Sequence, residues 1–506
     1  MPSEFFQKFY SKVKKEYKIA FVLTFIFTFF THLFIFTNRI PNHDSLHSFY
    51  HNQAILWSGR FTLGPIASIS SYFDLPWVIG ILSMLYLAFL VILIVALFNI
   101  KNNLAIFFIS GLVSSFPVLG ATFTYLYTAD AYILGYVLAL LAIYCTVKQK
   151  HGFLYSWIIM LAAIGIYQAA LSVFLVFSGV VLIKKLINTP TSLKEFIQIS
   201  WKLLLTFVVS LGIYAVIFKL YQKYKGIVDY QGLDQAGNIG LDVITKGIYN
   251  SYTFFVDFYF RGFISNFEVN LFEILNLILF VILAIALIKI MINSSIHLVN
   301  RVIILILIIL MPIFGFVMFF VSPTVEYHML MKFSLVFIYI AVVLFYSEYL
   351  EKKKKVVFSW ITIIALLLSL GNNLVINNIA YLNAEIKYER SAALLNRVLV
   401  KAEELDNYSD AKKIMVIGTP KMWTKISSET VRNNIPWMTG AMGEHILISQ
   451  SRIRNMTEYY LGIYLREVNY EQAENIKKSQ EFTEMQVWPA NDSVKVIEDV
   501  LVIRFN

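Results

Sequence analysis

The chain has 506 residues, of which 58% are hydrophobic and 15% are charged, and its formal net charge is +10. Soluble chains average about 25% charged residues, so this composition excludes an ordinary soluble domain and indicates a polytopic membrane protein. The positive charge does not indicate nucleic-acid binding, because the lysines cluster at the ends of apolar segments, where orientation signals and anionic headgroups account for them.

The first apolar run, 19–36, follows a lysine-rich N-terminus and lacks a small-residue cleavage site. We therefore predict an uncleaved first helix with a cytoplasmic N-terminus and an extracytoplasmic loop at 38–75. The next spans are predicted at about 76–98, 104–123 and 129–147. The single cysteine, Cys145, lies in the last of these, so no intramolecular disulfide can form.

The apolar stretch 153–183 has two interpretations. One long helix would carry Lys184 and Lys185 outside, whereas two short spans meeting near Tyr167 and Gln168 keep both lysines in the cytoplasm. We prefer two spans, followed by an amphipathic segment at 191–203. The remaining spans are predicted at about 203–218, 269–289, 302–321, 333–350 and 356–375.

Eleven membrane helices therefore make up a predicted transmembrane domain, residues 1–375, with the lysine run of 351–355 in the cytoplasm. The tail, 376–506, would be extracytoplasmic. Its amphipathic stretch at 381–408 predicts a helix, and its apolar stretches at 412–418 and 494–505 predict strands. We therefore expect a polytopic all-α membrane protein with a small C-terminal α/β domain.

Asp44 is the principal candidate for a catalytic group. It follows the first span closely, and ionisable groups near a membrane are retained mainly where they work or find a partner. The structural alternative is a helix N-cap, since a helix is predicted at 45–57. His43, His47 and His51 recur every four residues and could hold a metal with Asp44, or they could belong to an interfacial helix. We expect no cofactor, with a divalent metal at these histidines as the alternative.

Other polar and aromatic residues fall on the same predicted side. Each has a structural alternative: Trp57 as an interface anchor, Arg60 and Lys332 as ligands of lipid headgroups, Asp130 as a helix cap, and Tyr167 and Gln168 as partners of a broken backbone. The functional alternative places them around a substrate. The candidate substrate-binding residues are His43, His47, Trp57, Arg60, Tyr167, Gln168, His328 and Lys332, and the candidate catalytic residues are Asp44 and Asp130.

A carboxylate facing a cation beside a lipid leaflet suits sugar transfer from a polyprenyl phosphate. The leaving group is already a stabilised anion, so one base and one phosphate-binding cation suffice, and direct displacement inverts the anomeric centre. Asp44 would be the base, and Arg60 or Lys332 would bind the phosphate. The alternatives are a polysaccharide ligase and a transporter or flippase, although the sequence shows no internal repeat and its charges gather in loops.

Three stretches carry a family resemblance: "NHDSLHSFYHNQAILWSGRF" at 42–61, "GIYQAA" at 165–170 and "MQVWPANDSVKVIEDVLVIRF" at 485–505. The sequence resembles the serotype-converting glucosyltransferases of the GT-C class. That resemblance implies transfer of a hexose, usually glucose, from a polyprenyl phosphate to a surface polysaccharide or glycolipid on the outer face of the bacterial inner membrane. Such enzymes often have two adjacent acids, whereas here His43 precedes Asp44, so Asp130 is expected to be the second acid.

Overall fold

The computed structural model describes residues 2–46, 58–188, 193–226, 240–293, 296–346, 356–421, 438, 440–441 and 445–506. The predicted helix at 45–57, with His47, His51 and Trp57, therefore lies almost entirely outside the described residues. The lysine run at 351–355 lies outside them as well.

Eight of the described helices are long and apolar enough to cross a membrane, so the protein is a polytopic helical membrane protein. These are α2 (Lys15–Thr37), α4 (Pro76–Phe98), α7 (Leu126–Lys148), α9 (Ala170–Asn188), α10 (Leu193–Lys225), α12 (Leu271–Asn293), α13 (Leu298–Gly315) and α16 (Val356–Glu403).

Three further apolar segments match predicted spans in position but differ in form. Helices α5 (Asn103–Ser115) and α6 (Pro117–Phe123) form a pair bent by 41°. The bend follows from Pro117, whose ring keeps the preceding residue out of the helical region. Helices α8 (Phe153–Ile166) and α15 (Phe337–Phe345) are shorter than a full span. The count of eleven spans therefore stays a prediction.

The predicted break in the 153–183 stretch is present. Helix α8 ends at Ile166, Tyr167 has extended backbone angles, and α9 begins at Ala170. Two other helix boundaries differ from the prediction, one in α10 and one in α16. The amphipathic segment and the span that follows it form the single helix α10, because no proline interrupts the chain between Leu193 and Lys225.

Helix α16 has 48 residues and runs without a break through the predicted domain boundary at 375–376. At 1.5 Å per residue it is about 72 Å long, more than twice the thickness of a hydrocarbon core. The last predicted span and the amphipathic helix of the tail are thus one continuous rod. The remaining helices before it are α1 (Pro2–Lys12), α3 (Leu63–Ala67), α11 (Leu241–Ile264) and α14 (Met318–Val321).

The C-terminal part contains a four-stranded mixed sheet in the order β2, β1, β4, β3. Strand β1 (Lys413–Ile417) is parallel to β2 (Arg466–Glu467) and to β4 (Val500–Arg504), whereas β3 (Val494–Ile497) forms an antiparallel hairpin with β4. Strands therefore lie where both apolar stretches of the tail predicted them. The described helices of this part are α17 (Gln450–Tyr459), α18 (Tyr470–Lys478) and α19 (Gln480–Thr483).

The membrane helices and the C-terminal part share buried surfaces. Leu46, which follows Asp44, is fully buried in the apolar cluster formed by α16, β1 and α17. Conversely, Met438 and Ala441 of the C-terminal part are fully buried in the main core of the membrane helices. Burial of this kind fixes the C-terminal part against the end of the bundle that carries Asp44.

Candidate active site

Asn42 shapes the segment that presents Asp44. Its side-chain oxygen accepts hydrogen bonds from the backbone N–H groups of Asp44 and Ser45, both at 2.8 Å, and its amide donates to the carbonyl oxygen of Thr124 at 2.5 Å. Asparagine commonly forms such local turns with its own backbone. Residues 40–46, called here the Asp44 loop, are thereby held against the start of α7.

Asp44 is held from the C-terminal part of the chain. Arg452 Nη2 lies 3.2 Å from Asp44 Oδ1, and Arg452 Nε donates to the carbonyl oxygen of His43 at 3.1 Å. Asn455, one turn further along α17, donates to the carbonyl oxygen of Leu46 at 2.9 Å. The sequence analysis missed Arg452, because more than 400 residues separate it from Asp44 and no local pattern links them.

His43 lies beside the carboxylate that it precedes. Its Nε2 is 3.6 Å from Asp44 Oδ2, and its ring packs edge-on against Tyr125. The Asp44 side chain remains about one-third exposed between these neighbours. It can therefore meet a substrate while a hydrogen bond fixes its orientation.

Arg60, Tyr167 and Gln168 form one connected group. Arg60 Nη1 donates to the hydroxyl of Tyr132 at 2.7 Å, and its guanidinium lies 5.0 Å from the centre of the Tyr167 ring. The Tyr132 and Tyr167 rings stack 4.2 Å apart. Gln168 donates to the carbonyl oxygen of Ser58 and, at 2.9 Å, to the hydroxyl of Tyr214. Tyr167 and Gln168 are buried, so in this arrangement they support the Arg60 segment.

Gly59 allows this close approach. Its φ is +73°, a backbone conformation that side chains disfavour, and an added Cβ would collide with the Tyr214 hydroxyl. The glycine before Arg60 is thus required by both the backbone and the space available.

A cleft of about 830 Å³ lies between α11 and the loop at 323–332. Its lining includes apolar rings and both signs of charge: Lys246, Phe254, Asp257, Phe319, Glu326, His328 and Lys332. We call it the Lys332 cleft. Its volume falls in the range typical of small-molecule sites.

His328 lines the Lys332 cleft. Burial lowers the pKa of His328, and the charges of Arg60 and Lys332 lower it further, whereas those of Glu326 and Asp44 raise it. The structure thus brings His328 and Lys332 together at one cleft, while Asp44 contacts Arg452 and Arg60 contacts Tyr132.

Lys332 itself is buried, and its ammonium lies 5.4 Å from the centre of the Phe254 ring. Burial lowers the pKa of Lys332 to about 8, against the raising effect of Asp257. A lysine of this kind is a poor surface anchor and a suitable ligand for a dianion that enters the cleft.

Asp130 lies in a different environment. It is buried on α7, the Ser70 hydroxyl is its side-chain hydrogen-bonding neighbour, and its Oδ1 has no hydrogen-bond partner in the described part of the chain. No contact between Asp130 and Asp44 is found among the described residues.

Asp74 is a carboxylate that the sequence analysis did not single out. Burial raises the pKa of Asp74 to about 6, although the charge of Arg39 lowers it. Its Oδ1 is buried without a hydrogen-bond partner in the described ranges. Its position just before the second predicted span mirrors that of Asp44 just after the first, and this symmetry is the signal that could have identified it.

The histidine row cannot be placed, because His47 and His51, like Trp57, lie outside the described residues. Within the described ranges no group of three His, Cys, Asp or Glu residues could hold a metal ion.

Comparison with known proteins identifies one family. The model of the family described as Glucosyl transferase GtrII matches residues 33–345. This range contains Asp44, Arg60, His328 and Lys332, and it ends before Arg452. Neither the curated proteins nor the solved structures provide a match.

Proposed function

The chain belongs to the GtrII glucosyl transferase family, and from this premise we propose that it takes glucose from a polyprenyl-phosphate donor and attaches it to a polysaccharide or glycolipid acceptor on the outer face of the bacterial inner membrane. Asp44 would act as the general base, and inversion at the anomeric carbon would follow from direct displacement. The observation that carries this proposal is the partly exposed Asp44 carboxylate held by Arg452, together with the cleft that the buried Lys332 lines.

The Lys332 cleft supplies what the phosphate of the donor needs. A phosphate bound there would meet the ammonium of Lys332, while Phe254 and Phe319 offer apolar surface to the first prenyl units. Helix α11 borders the cleft with Lys246, Phe254 and Asp257. The ammonium of Lys332 would offset the negative charge that develops on the leaving phosphate.

Asp44 supplies the base for the acceptor hydroxyl. Its carboxylate is partly exposed and is oriented by Arg452, so one oxygen can accept a proton while the ion pair holds the other. Arg60 lies among aromatic rings on the same side, where its fixed planar charge suits a phosphate.

The distribution of lysines supports an outward-facing site. Lys184 donates to the carbonyl oxygen of Phe98 at 3.1 Å, and this bond marks the end of α4 opposite to Pro76 and the nearby Asp74. Lys148 also ends its helix at that opposite side. Positive residues favour the cytoplasmic face, which would leave Asp44 outside.

The test uses purified protein in lipid nanodiscs, with radiolabelled polyprenyl-phosphate glucose as donor and an acceptor polysaccharide. Asp44→Asn should reduce transfer and release of polyprenyl phosphate by at least about 100-fold, because a positioned base typically contributes 10²–10⁴-fold. Asp492→Asn makes the same change at an exposed position of the tail and should behave like wild type. Transfer by Asp44→Asn at the wild-type rate would refute the role of the base, and failure of the wild type to use any polyprenyl-phosphate sugar would refute the donor.

A further inference from the structure

A second cleft, of about 360 Å³, lies within the C-terminal part of the chain. It is bordered by β1, α17, the end of β2 and α18, and we call it the α17 groove. Its lining includes Val416, Gln450, Arg454, Glu467, Tyr470 and Lys477. None of these residues belongs to the site around Asp44.

Helix α17 stands between this groove and the Asp44 loop. Arg452 and Asn455 contact the loop, whereas Gln450 and Arg454 line the groove. At 100° per residue these two pairs project from nearly opposite faces of the helix. A molecule in the groove therefore lies about one helix diameter, roughly 10–12 Å, from the Asp44 loop.

The floor of the groove offers backbone hydrogen-bonding groups. The pairing of β1 with β2 ends at Ile414, whereas the pairing with β4 continues to Ile417. Successive residues of a strand between two neighbours alternate the side to which they bond, and Ile414 accepts from the β2 side. The N–H and C=O of Val416 therefore point toward the groove.

The rim offers polar groups whose charges balance. Arg454 pairs with Glu467, and Lys477 Nζ pairs with Glu474 at 2.8 Å. Tyr470 stands beside these pairs with 83% of its surface exposed. Paired charges donate and accept hydrogen bonds without favouring an ion, and an exposed aromatic ring offers a flat apolar face. Hydroxyl groups on an apolar ring, as in a neutral sugar, match both features.

We propose that the α17 groove binds an uncharged stretch of the acceptor glycan and guides it past α17 to Asp44. This inference rests on the proposed function, which supplies the acceptor. The groove would then set which polymer is modified, whereas the Lys332 cleft would set which donor is used. The C-terminal part would thereby hold the acceptor and also orient the base.

The experiment measures binding by calorimetry to the full-length protein in detergent, without a donor. The probes are neutral oligosaccharides released from the surface polysaccharide of the native host, and hyaluronan fragments serve as the acidic comparison. Tyr470→Ala should weaken binding of the neutral probe by about twofold to tenfold, the range expected for loss of one stacked aromatic ring. Tyr464→Ala is the matched control, because Tyr464 is also largely exposed, at 69%, and does not line the groove.

Wild-type binding of the neutral probe that is weakened only by Tyr470→Ala supports the proposal. Absence of wild-type binding, equal effects of the two tyrosine variants, or tighter binding of hyaluronan each overturn it. If the wild type binds the neutral probe and only Tyr470→Ala weakens that binding, while the wild type transfers no sugar, the proposed function fails and the proposal for the α17 groove is retained.

Discussion

Arg452 is expected to hold Asp44 in the orientation that its proposed role as general base requires. Arg452→Gln removes a contact of 3.2 Å to the Asp44 carboxylate and one of 3.1 Å to the carbonyl oxygen of His43. The two charged side chains are 21% and 32% exposed, so the ion pair contributes only about 0–1 kcal/mol to the free energy of unfolding. We therefore expect the melting temperature to fall by no more than about 4 °C.

The turnover number should be more sensitive than the stability. A displacement of a catalytic group by about 1 Å can reduce the rate by about 100-fold. If loss of Arg452 misaligns the base to this degree, kcat falls by about 10- to 100-fold. The KM for the donor should stay unchanged, because Arg452 does not line the Lys332 cleft.

Initial rates at varied donor and acceptor concentrations separate these quantities. Arg466→Gln, at an exposed position of β2, is the control for loss of a tail arginine. Arg452→Lys keeps the charge without the planar fork and should restore only part of the rate. A folded Arg452→Gln protein with kcat within about twofold of wild type would refute the positioning role, and a loss confined to the donor KM would assign Arg452 to donor binding.

Two titrating groups lead to the remaining predictions. Because burial lowers the pKa of Lys332 to about 8, the KM for the donor should rise as the pH increases through about 8 and above. Lys332→Met should raise the donor KM about tenfold and remove its pH dependence. A donor KM of the wild type that stays constant between pH 6.5 and 9.5 would contradict the role of Lys332 in phosphate binding. The pKa of Asp74 is about 6 in the folded protein and about 3.8 in the unfolded chain, so between these pH values the folded state binds more protons than the unfolded state. The free energy of unfolding therefore falls as the pH rises from about 4 to about 6. Asp74→Asn should lose this part of the pH dependence in thermal melts, and Asp410→Asn, at an exposed position, should retain it.

Several features of the site could be predicted from local sequence. The polar interval after the first apolar run pointed to Asp44 and Arg60, and the lysines flanking 153–183 pointed to the break at Tyr167 and Gln168. Both signals arise from the cost of placing charge at membrane depth, which acts on residues close in the chain. The contact of Arg60 with Tyr167 and the hydrogen bond from Gln168 to Tyr214 could not be predicted from local sequence, because they depend on how the helices pack.

Other features depended on distant residues. Asp130 was expected to be the second acid beside Asp44, yet it is buried on α7 and no contact between the two is found among the described residues. Similarly, Arg452 reaches Asp44 from a segment that would have been assigned to a separate extracytoplasmic domain. Helix periodicity and hydropathy carry no information about such pairs, because they arise from how helices pack and how the tail folds back.

The sequence by itself determined that this chain is a membrane protein, roughly where most of its apolar segments lie, and which loop concentrates ionisable groups. These properties follow from the transfer of side chains between water and hydrocarbon, which each residue expresses on its own. Only the tertiary structure decided that Asp44 faces Arg452, that His328 and Lys332 line one cleft, and that α16 continues unbroken into the tail. Those relations are distances between residues far apart in the chain, and they are set by burial of side chains such as Leu46 and Met438 in shared cores.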